Sequence, residues 1–193
     1  MAPIRYDDLA SLIDSRAPAC GTTKVIAVDG PSGAGKTDFA NALSAVVHAP
    51  VVHLEDIYPG WSGLDAAPQL IVAGMLSRLA VGEIGAVARW DWGRDSPAED
   101  IKVPPNPLLI LEGVGSGARL CRPYLSMLIW LEAPAPIRKQ RALSRDGQTY
   151  APFWDMWAAQ EQRLFATDDI RAAAEVVVDT AADGILDITQ RYR

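Results

Sequence analysis

The sequence offers little that could cross-link a chain or ligate a transition metal. Among its 193 residues there are two cysteines and two histidines. Cys20 and Cys121 each stand alone, and neither His48 nor His53 lies at ligand spacing beside one. A disulfide framework and a zinc site are thereby excluded, and the thiols are left as buried or incidental groups. Long apolar runs are missing as well: no stretch approaches the roughly 20 residues that span a bilayer. The 49% of the chain that is hydrophobic must instead be spread through a core. Basic residues are in deficit, 18 Lys and Arg against 24 Asp and Glu, and the resulting net charge of −6 has the wrong sign for a nucleic-acid partner. Internal repeats, low-complexity tracts and a signal-peptide pattern in the opening Met-Ala-Pro-Ile-Arg-Tyr-Asp-Asp are also lacking. The expectation is one cytoplasmic domain over residues 1–193 that acts on a small molecule, with no membrane partner and with its oligomeric state left open.

Against these absences stands one dense motif. Gly30-Pro31-Ser32-Gly33-Ala34-Gly35-Lys36-Thr37 fits G-x-x-x-x-G-K-[ST], the P-loop that wraps nucleotide phosphates. The glycines tolerate positive φ and carry no Cβ, so consecutive backbone N–H groups can converge on phosphate oxygens while the following helix adds the positive end of its dipole. Gly30, Ser32, Gly33, Ala34 and Gly35 are therefore candidate nucleotide contacts. Lys36 reaches the β- and γ-phosphates as a point charge, and the Thr37 hydroxyl can hold Mg²⁺. Context supports the motif. Lys24–Asp29 is an apolar, β-branched run of strand length, and Phe39, Ala40, Leu43, Val46 and Val47 recur at helical spacing, so the loop joins a buried strand to an amphipathic helix.

The rest of the chain alternates in kind. Asp7–Arg16 reads as a short helix, Pro50–Leu54 as a second strand and Pro68–Ala80 as a helix with Leu70, Ile71, Leu76 and Leu79 on one side. Ala86–Trp92 reads as a short strand. Asp95–Pro107, polar and carrying four prolines, reads as an exposed loop. Leu108–Leu111, Met127–Leu131 and Glu175–Val178 are further strands. The pattern predicts an α/β fold, a doubly wound parallel five-stranded sheet with ligands at the carboxyl ends of its strands.

Acids just past those strand ends are candidates for the crevice. Glu112 follows Leu108–Leu111 and precedes Gly113, where a carboxylate can order Mg²⁺ or its waters. Glu55 and Asp56 end the second strand, where either can take a proton from an acceptor hydroxyl or ligate the metal.

Taken in order, the P-loop, the acid-acid-x-Tyr of Glu55–Tyr58, the aromatic-Asp-aromatic of Trp90-Asp91-Trp92, Glu112-Gly113 and the Arg-rich Arg138–Asp146 resemble the uridine kinase and phosphoribulokinase group of P-loop kinases, over about Lys24 to Asp179. The resemblance implies phosphorylation of a small-molecule hydroxyl by ATP with Mg²⁺. Carried across, the family's catalytic Asp, three positions before a Tyr, falls on Glu55, a longer carboxylate, with Asp56 as the alternative base. Tyr58, Trp90, Asp91 and Trp92 fall at the acceptor. Uridine kinases follow that aromatic triplet with a His that contacts the nucleoside; here Gly93-Arg94-Asp95-Ser96 follows, without one. A nucleoside, a pantothenate-like alcohol, a sugar and a nucleoside monophosphate all remain open.

Arg138, Arg141 and Arg145 are spaced three and four apart in a helix expected from Pro136 to Gly147, so they share a face. The resemblance makes that helix a lid over the phosphates, with Arg138 at the nucleotide and Arg141 and Arg145 at the transferring phosphoryl group; lid and following helix cover about 134–166. Trp154, Trp157, Glu161 and Leu164 recur at helical spacing and read as packing. Trp61, Trp90 and Trp92 read as neighbours of the acceptor, where Arg89 or Arg94 could fix an anionic group. The competing reading is an ATP-binding regulatory or switch protein with little turnover. The Asp-x-x-Gly and Asn-Lys-x-Asp motifs of a GTPase switch occur nowhere in the sequence.

Overall fold

The computed structural model describes residues 5–181 and 187–190. Its first half contains α1 (Tyr6–Asp14), β1 (Lys24–Asp29), α2 (Lys36–Val47), β2 (Val51–His53), α3 (Ala67–Ile71), α4 (Ser77–Leu79), β3 (Gly85–Asp91) and β4 (Ser96–Val103). The second half adds β5 (Leu108–Glu112), β6 (Met127–Glu132), α5 (Ala135–Tyr150), α6 (Trp154–Asp168), α7 (Ile170–Ala173), β7 (Val176–Asp179) and β8 (Asp187–Gln190). The main sheet runs β2-β5-β1-β6-β7-β8. Its first five strands are parallel, as the sequence pattern requires, and β8 joins antiparallel at the edge of β7.

Strand period explains why these runs are apolar throughout. Side chains alternate between faces, and here both faces are covered. Ile26, Val28, Ile110, Ile129, Leu131, Val176 and Val178 project to one side, against Leu9 and Ile13 of α1 and Phe39, Ala40 and Leu43 of α2. Val25, Leu109 and Leu111 project to the other, against Leu64, Ile71, Met75, Leu76 and Leu79. Farther along that second face, Ala27, Leu128, Trp130 and Val177 meet Ile170 and Ala174. Each fully buried Leu or Ile contributes about 1.5–3 kcal/mol, and Leu43→Ala in the fully enclosed α2 contact would cost about 2–5 kcal/mol.

Two local expectations are corrected. Asp95–Pro107 is not an exposed loop: Ser96–Val103 forms β4 and pairs antiparallel with β3, from Gly85 opposite Val103 to Asp91 opposite Ser96. The prolines permit this because Pro97 stands opposite Trp90, next to an irregularity in the ladder of a ribbon that has only edges. The other three lie beyond the strand. The helix expected over Pro68–Ala80 also departs from regularity, opening into a π turn at Val72–Leu76 between α3 and α4. Gly74 in that turn lets the hairpin approach: a Cβ there would lie 2.3 Å from the Ala86 carbonyl oxygen. Among the described residues the hairpin shares no ladder with the main sheet, and Val87 and Val103 hold it through side-chain packing.

Candidate active site

The carboxyl ends of β1, β2 and β5 deliver the loop Gly30–Gly35, the turn Leu54–Asp56 and Glu112 to one edge of the sheet, where the strand order changes direction. Gly30, Gly33 and Gly35 adopt φ of 144°, 77° and 83°, and α2 starts immediately afterwards at Lys36. Gly33 is sterically fixed, since a Cβ would stand 2.2 Å from the Arg138 carbonyl oxygen. Lys36 is 8% exposed, and its Nζ donates to the Pro31 carbonyl at 3.2 Å.

Beneath the loop lies Asp29, which sequence reasoning missed. It is fully buried. Its carboxylate accepts from the backbone N–H of Gly30 at 2.6 Å, Gly115 at 3.0 Å and Gly117 at 2.8 Å, tying the end of β1 to the glycine-rich segment after β5. Burial raises its pKa to about 6, against the opposing pull of those N–H groups and of Lys36. Thr180 makes a second tie, donating from Oγ1 to the Ala34 carbonyl at 3.0 Å.

Glu112 lies beside the start of α2. Its Oε2 is 3.4 Å from Thr37 Oγ1, which donates to it, and 2.7 Å from His53 Nδ1. That second bond draws the His53 pKa upward, in opposition to partial burial of the ring. Among the described residues no group of three His, Cys, Asp or Glu side chains could cage a metal. One hydroxyl and one carboxylate suit Mg²⁺, which takes few protein oxygens and completes its shell with phosphate and water.

A cavity of about 530 Å³ opens over these groups. Its P-loop end is lined by Ser32, Gly33, Gly35, Lys36, Thr37 and Asp38, with Glu112, Gly113 and Val114 alongside; its far end is lined by Glu55, Tyr58, Trp61, Trp92, Arg145, Thr149, Tyr150 and Trp157. The far end is aromatic and self-supporting. Trp61 stacks on Phe153 (centroids 4.5 Å apart, 8° between planes) and on Tyr150 (5.3 Å, 17°), and meets Trp92 at 4.8 Å. The Trp92 indole N–H donates to the Glu55 carbonyl at 2.9 Å, joining the hairpin to the carboxylate turn. Tyr58 donates its hydroxyl to the Val114 carbonyl at 2.9 Å; burial, with Glu112 and Asp29 nearby, holds its pKa well above the phenolic value.

Several sequence candidates lie off the cavity wall. Glu55 lines it and Asp56 does not. Arg89 pairs with Glu99 at 2.7 Å on the outer hairpin, and Arg94 lies 3.8 Å from Asp91. Asp91 itself caps the hairpin turn, accepting from the N–H groups of Gly93 and Arg94. Trp90 packs near Gly60. The three arginines of α5 separate in role. Arg138 donates to the carbonyls of Ser32 and Ala133, both at 3.0 Å. Arg141 donates to Thr180 Oγ1 at 3.3 Å and to its carbonyl at 2.9 Å. Arg145 lines the cavity. Trp157, read as packing, both packs and lines the cavity, and helical spacing could not separate the two. α5 also carries Gly147 at φ 53°, ψ −130°, a break inside the helix.

No protein-family model matches the sequence, and no curated protein matches it either. Solved structures do match in shape. One is a candidate uridine kinase from Bacillus stearothermophilus, 20% identical, with a TM-score of 0.64 over 89% of this chain and 96% of that one. Another is a candidate fructose transport system kinase from Silicibacter sp. TM1040, 17% identical, with a TM-score of 0.56 over 89% and 95%. The chain therefore shares the α/β fold of these two structures. No helix among the described residues is long and apolar enough to cross a membrane.

Proposed function

We propose that the protein is an ATP-dependent kinase that phosphorylates a hydroxyl of a small metabolite. The observation that carries this reading is a single cavity lined both by the P-loop with Lys36 and Thr37 and by Glu55 beside the aromatic residues Tyr58, Trp61, Trp92, Tyr150 and Trp157. A regulatory nucleotide binder has no need of the second half. We assign the reaction to the cytoplasm, where ATP is held.

In this reading the loop amides from Gly33 to Thr37 and the Lys36 ammonium bind the phosphates, fixed beforehand by Asp29 and Thr180 so that no reorganisation is spent during transfer. Thr37 and Glu112 would hold Mg²⁺, which when bound neutralises phosphate charge. Glu55 orients the acceptor hydroxyl and takes its proton as the oxygen bonds to the γ-phosphorus and the bond from that phosphorus to the bridging oxygen breaks, releasing ADP. Arg145 faces the same space as an electrostatic partner for the phosphoryl group. Residues Ala135–Asp168 act as a lid. Tyr150 and Phe153, stacked on Trp61, exclude water from the transfer path. ADP release measured across panels of nucleosides, sugars, pantothenate-like alcohols and nucleoside monophosphates tests the proposal. Stimulation by one class is expected, and turnover indifferent to every acceptor would leave only the regulatory reading.

A further inference from the structure

Glu161 takes no part in the chemistry proposed above, yet it is 3% exposed and heavily bonded. Its Oε1 accepts from the Ser32 N–H at 2.8 Å, the Ser32 hydroxyl at 2.6 Å and the Trp157 indole N–H at 3.1 Å. A buried carboxylate persists only where hydrogen bonds replace its water, and these come from two residues belonging to opposite ends of the cavity. Ser32 is in the P-loop. Trp157 is in the acceptor wall, set edge-on to Tyr58 at 4.9 Å and to Trp61 at 6.2 Å. Both donors of Ser32 are thereby turned toward α6, and the Ser32 carbonyl is held from the other side by Arg138. The phosphate cradle then falls to the amides from Gly33 onward.

We propose that Glu161 is a positioning residue that fixes the P-loop through Ser32 and transmits the placement of the acceptor-wall residue Trp157 to it, so that nucleotide affinity depends on Trp157 by way of Glu161. The inference rests on the kinase reading, since it assumes that the P-loop binds nucleotide. Displacement of Trp157 by an incoming acceptor would shift the Glu161 carboxylate, and with it the Ser32 peptide. The two substrates would then bind with coupled affinities.

The test is calorimetric titration of Mg·ADP into the full chain and its variants. Glu161→Gln keeps an acceptor oxygen within reach of Ser32 and Trp157 and should bind within about threefold of the unaltered protein. Glu161→Ala should weaken binding about tenfold, the scale of losing hydrogen bonds to a charged group. Trp157→Phe removes the indole N–H and keeps a ring against Tyr58; it should weaken binding about threefold, and add nothing further in the Glu161→Ala background. A generic packing role would give additive effects and no rescue by Gln. Equal affinity across the set, or an additive Trp157→Phe effect, overturns the inference. If Glu161→Ala fails to fold, the cycle of Trp157→Phe with Ser32→Ala replaces it: non-additive losses support the coupling and additive ones overturn it. An unaltered protein that binds no Mg·ADP overturns the kinase reading itself, and this inference with it, whereas the former outcomes leave that reading intact.

Discussion

Glu112 Oε2 and His53 Nδ1 lie 2.7 Å apart, so the acid proposed to meet Mg²⁺ also pairs with an imidazole on the edge strand β2. The His53 pKa is raised above its ordinary value of 6.5, chiefly by that hydrogen bond. A raised folded-state value means that the pair stabilises the fold fully below the unfolded pKa, and that this contribution disappears as pH climbs through the folded one. An NMR titration of His53 should give a midpoint above 6.5, moving down in Glu112→Gln, where partial burial becomes the dominant influence. The same variant should need more Mg²⁺ for half-maximal turnover. An unmoved midpoint would dissolve the pair, and an unmoved Mg²⁺ requirement would remove Glu112 from the metal.

Lys36→Ala should abolish detectable phosphotransfer while leaving the fold intact. Glycine geometry, Asp29 and Thr180 shape the loop; the ammonium group supplies charge and one bond to the Pro31 carbonyl. The expected loss exceeds about 3 kcal/mol of transition-state stabilisation, the scale of one preorganised electrostatic contact. Near-native turnover with an unchanged circular dichroism spectrum would refute the assignment.

Glu55→Gln and Asp56→Asn should differ sharply. Glu55 lines the cavity and Asp56 does not, so the first should lose about 100-fold or more in kcat, typical of a general base, and the second should stay within a few-fold. Equal retention of activity in both would send the search for a base elsewhere.

The arginines of α5 should divide by phenotype. Arg145→Ala should lower kcat more than nucleotide affinity, because charge on the phosphoryl group is redistributed mainly in the transition state. Arg141→Ala gives up two hydrogen bonds to Thr180 and should instead cost about 1–2 kcal/mol of stability. Thermal melts beside steady-state kinetics separate the two, and a kcat defect without a stability defect in Arg141→Ala would contradict its anchoring role.

Local signals carried the sheet and the P-loop. A strand buried on both faces is apolar at every step, as Val25–Val28 shows, and the loop's glycines sit beside the lysine they serve. The clasp on that loop was invisible because it is remote: Glu161 is separated from Ser32 by 129 positions, and Asp29 from Gly115 and Gly117 by 86 and 88. Spacing along one helix could rank Glu161 only as part of a packed stripe. β4 was hidden for another reason. Its outward residues Glu99, Asp100 and Lys102 and its proline give it the composition of a loop, and only Ile101 and Val103 carry the inward signal. The arginines at 138, 141 and 145 do follow one another at helical spacing, yet what Arg138 and Arg141 meet depends on Ser32 and Thr180, supplied by distant parts of the chain.

The β3–β4 ribbon brings Trp92 to the cavity without sharing a single ladder with the parallel sheet. A strand inserted in a sheet cannot slip by one residue without turning its whole buried set outward, whereas a ribbon held by side-chain packing and the Trp92–Glu55 hydrogen bond can lengthen, shorten or tilt with β1, β5 and the P-loop unmoved. The molecule is therefore modular along the hairpin side of its cavity and rigid at the P-loop, and, on the kinase proposal, a graft of another hairpin between Ile84 and Pro104 is the natural route to an altered choice of acceptor.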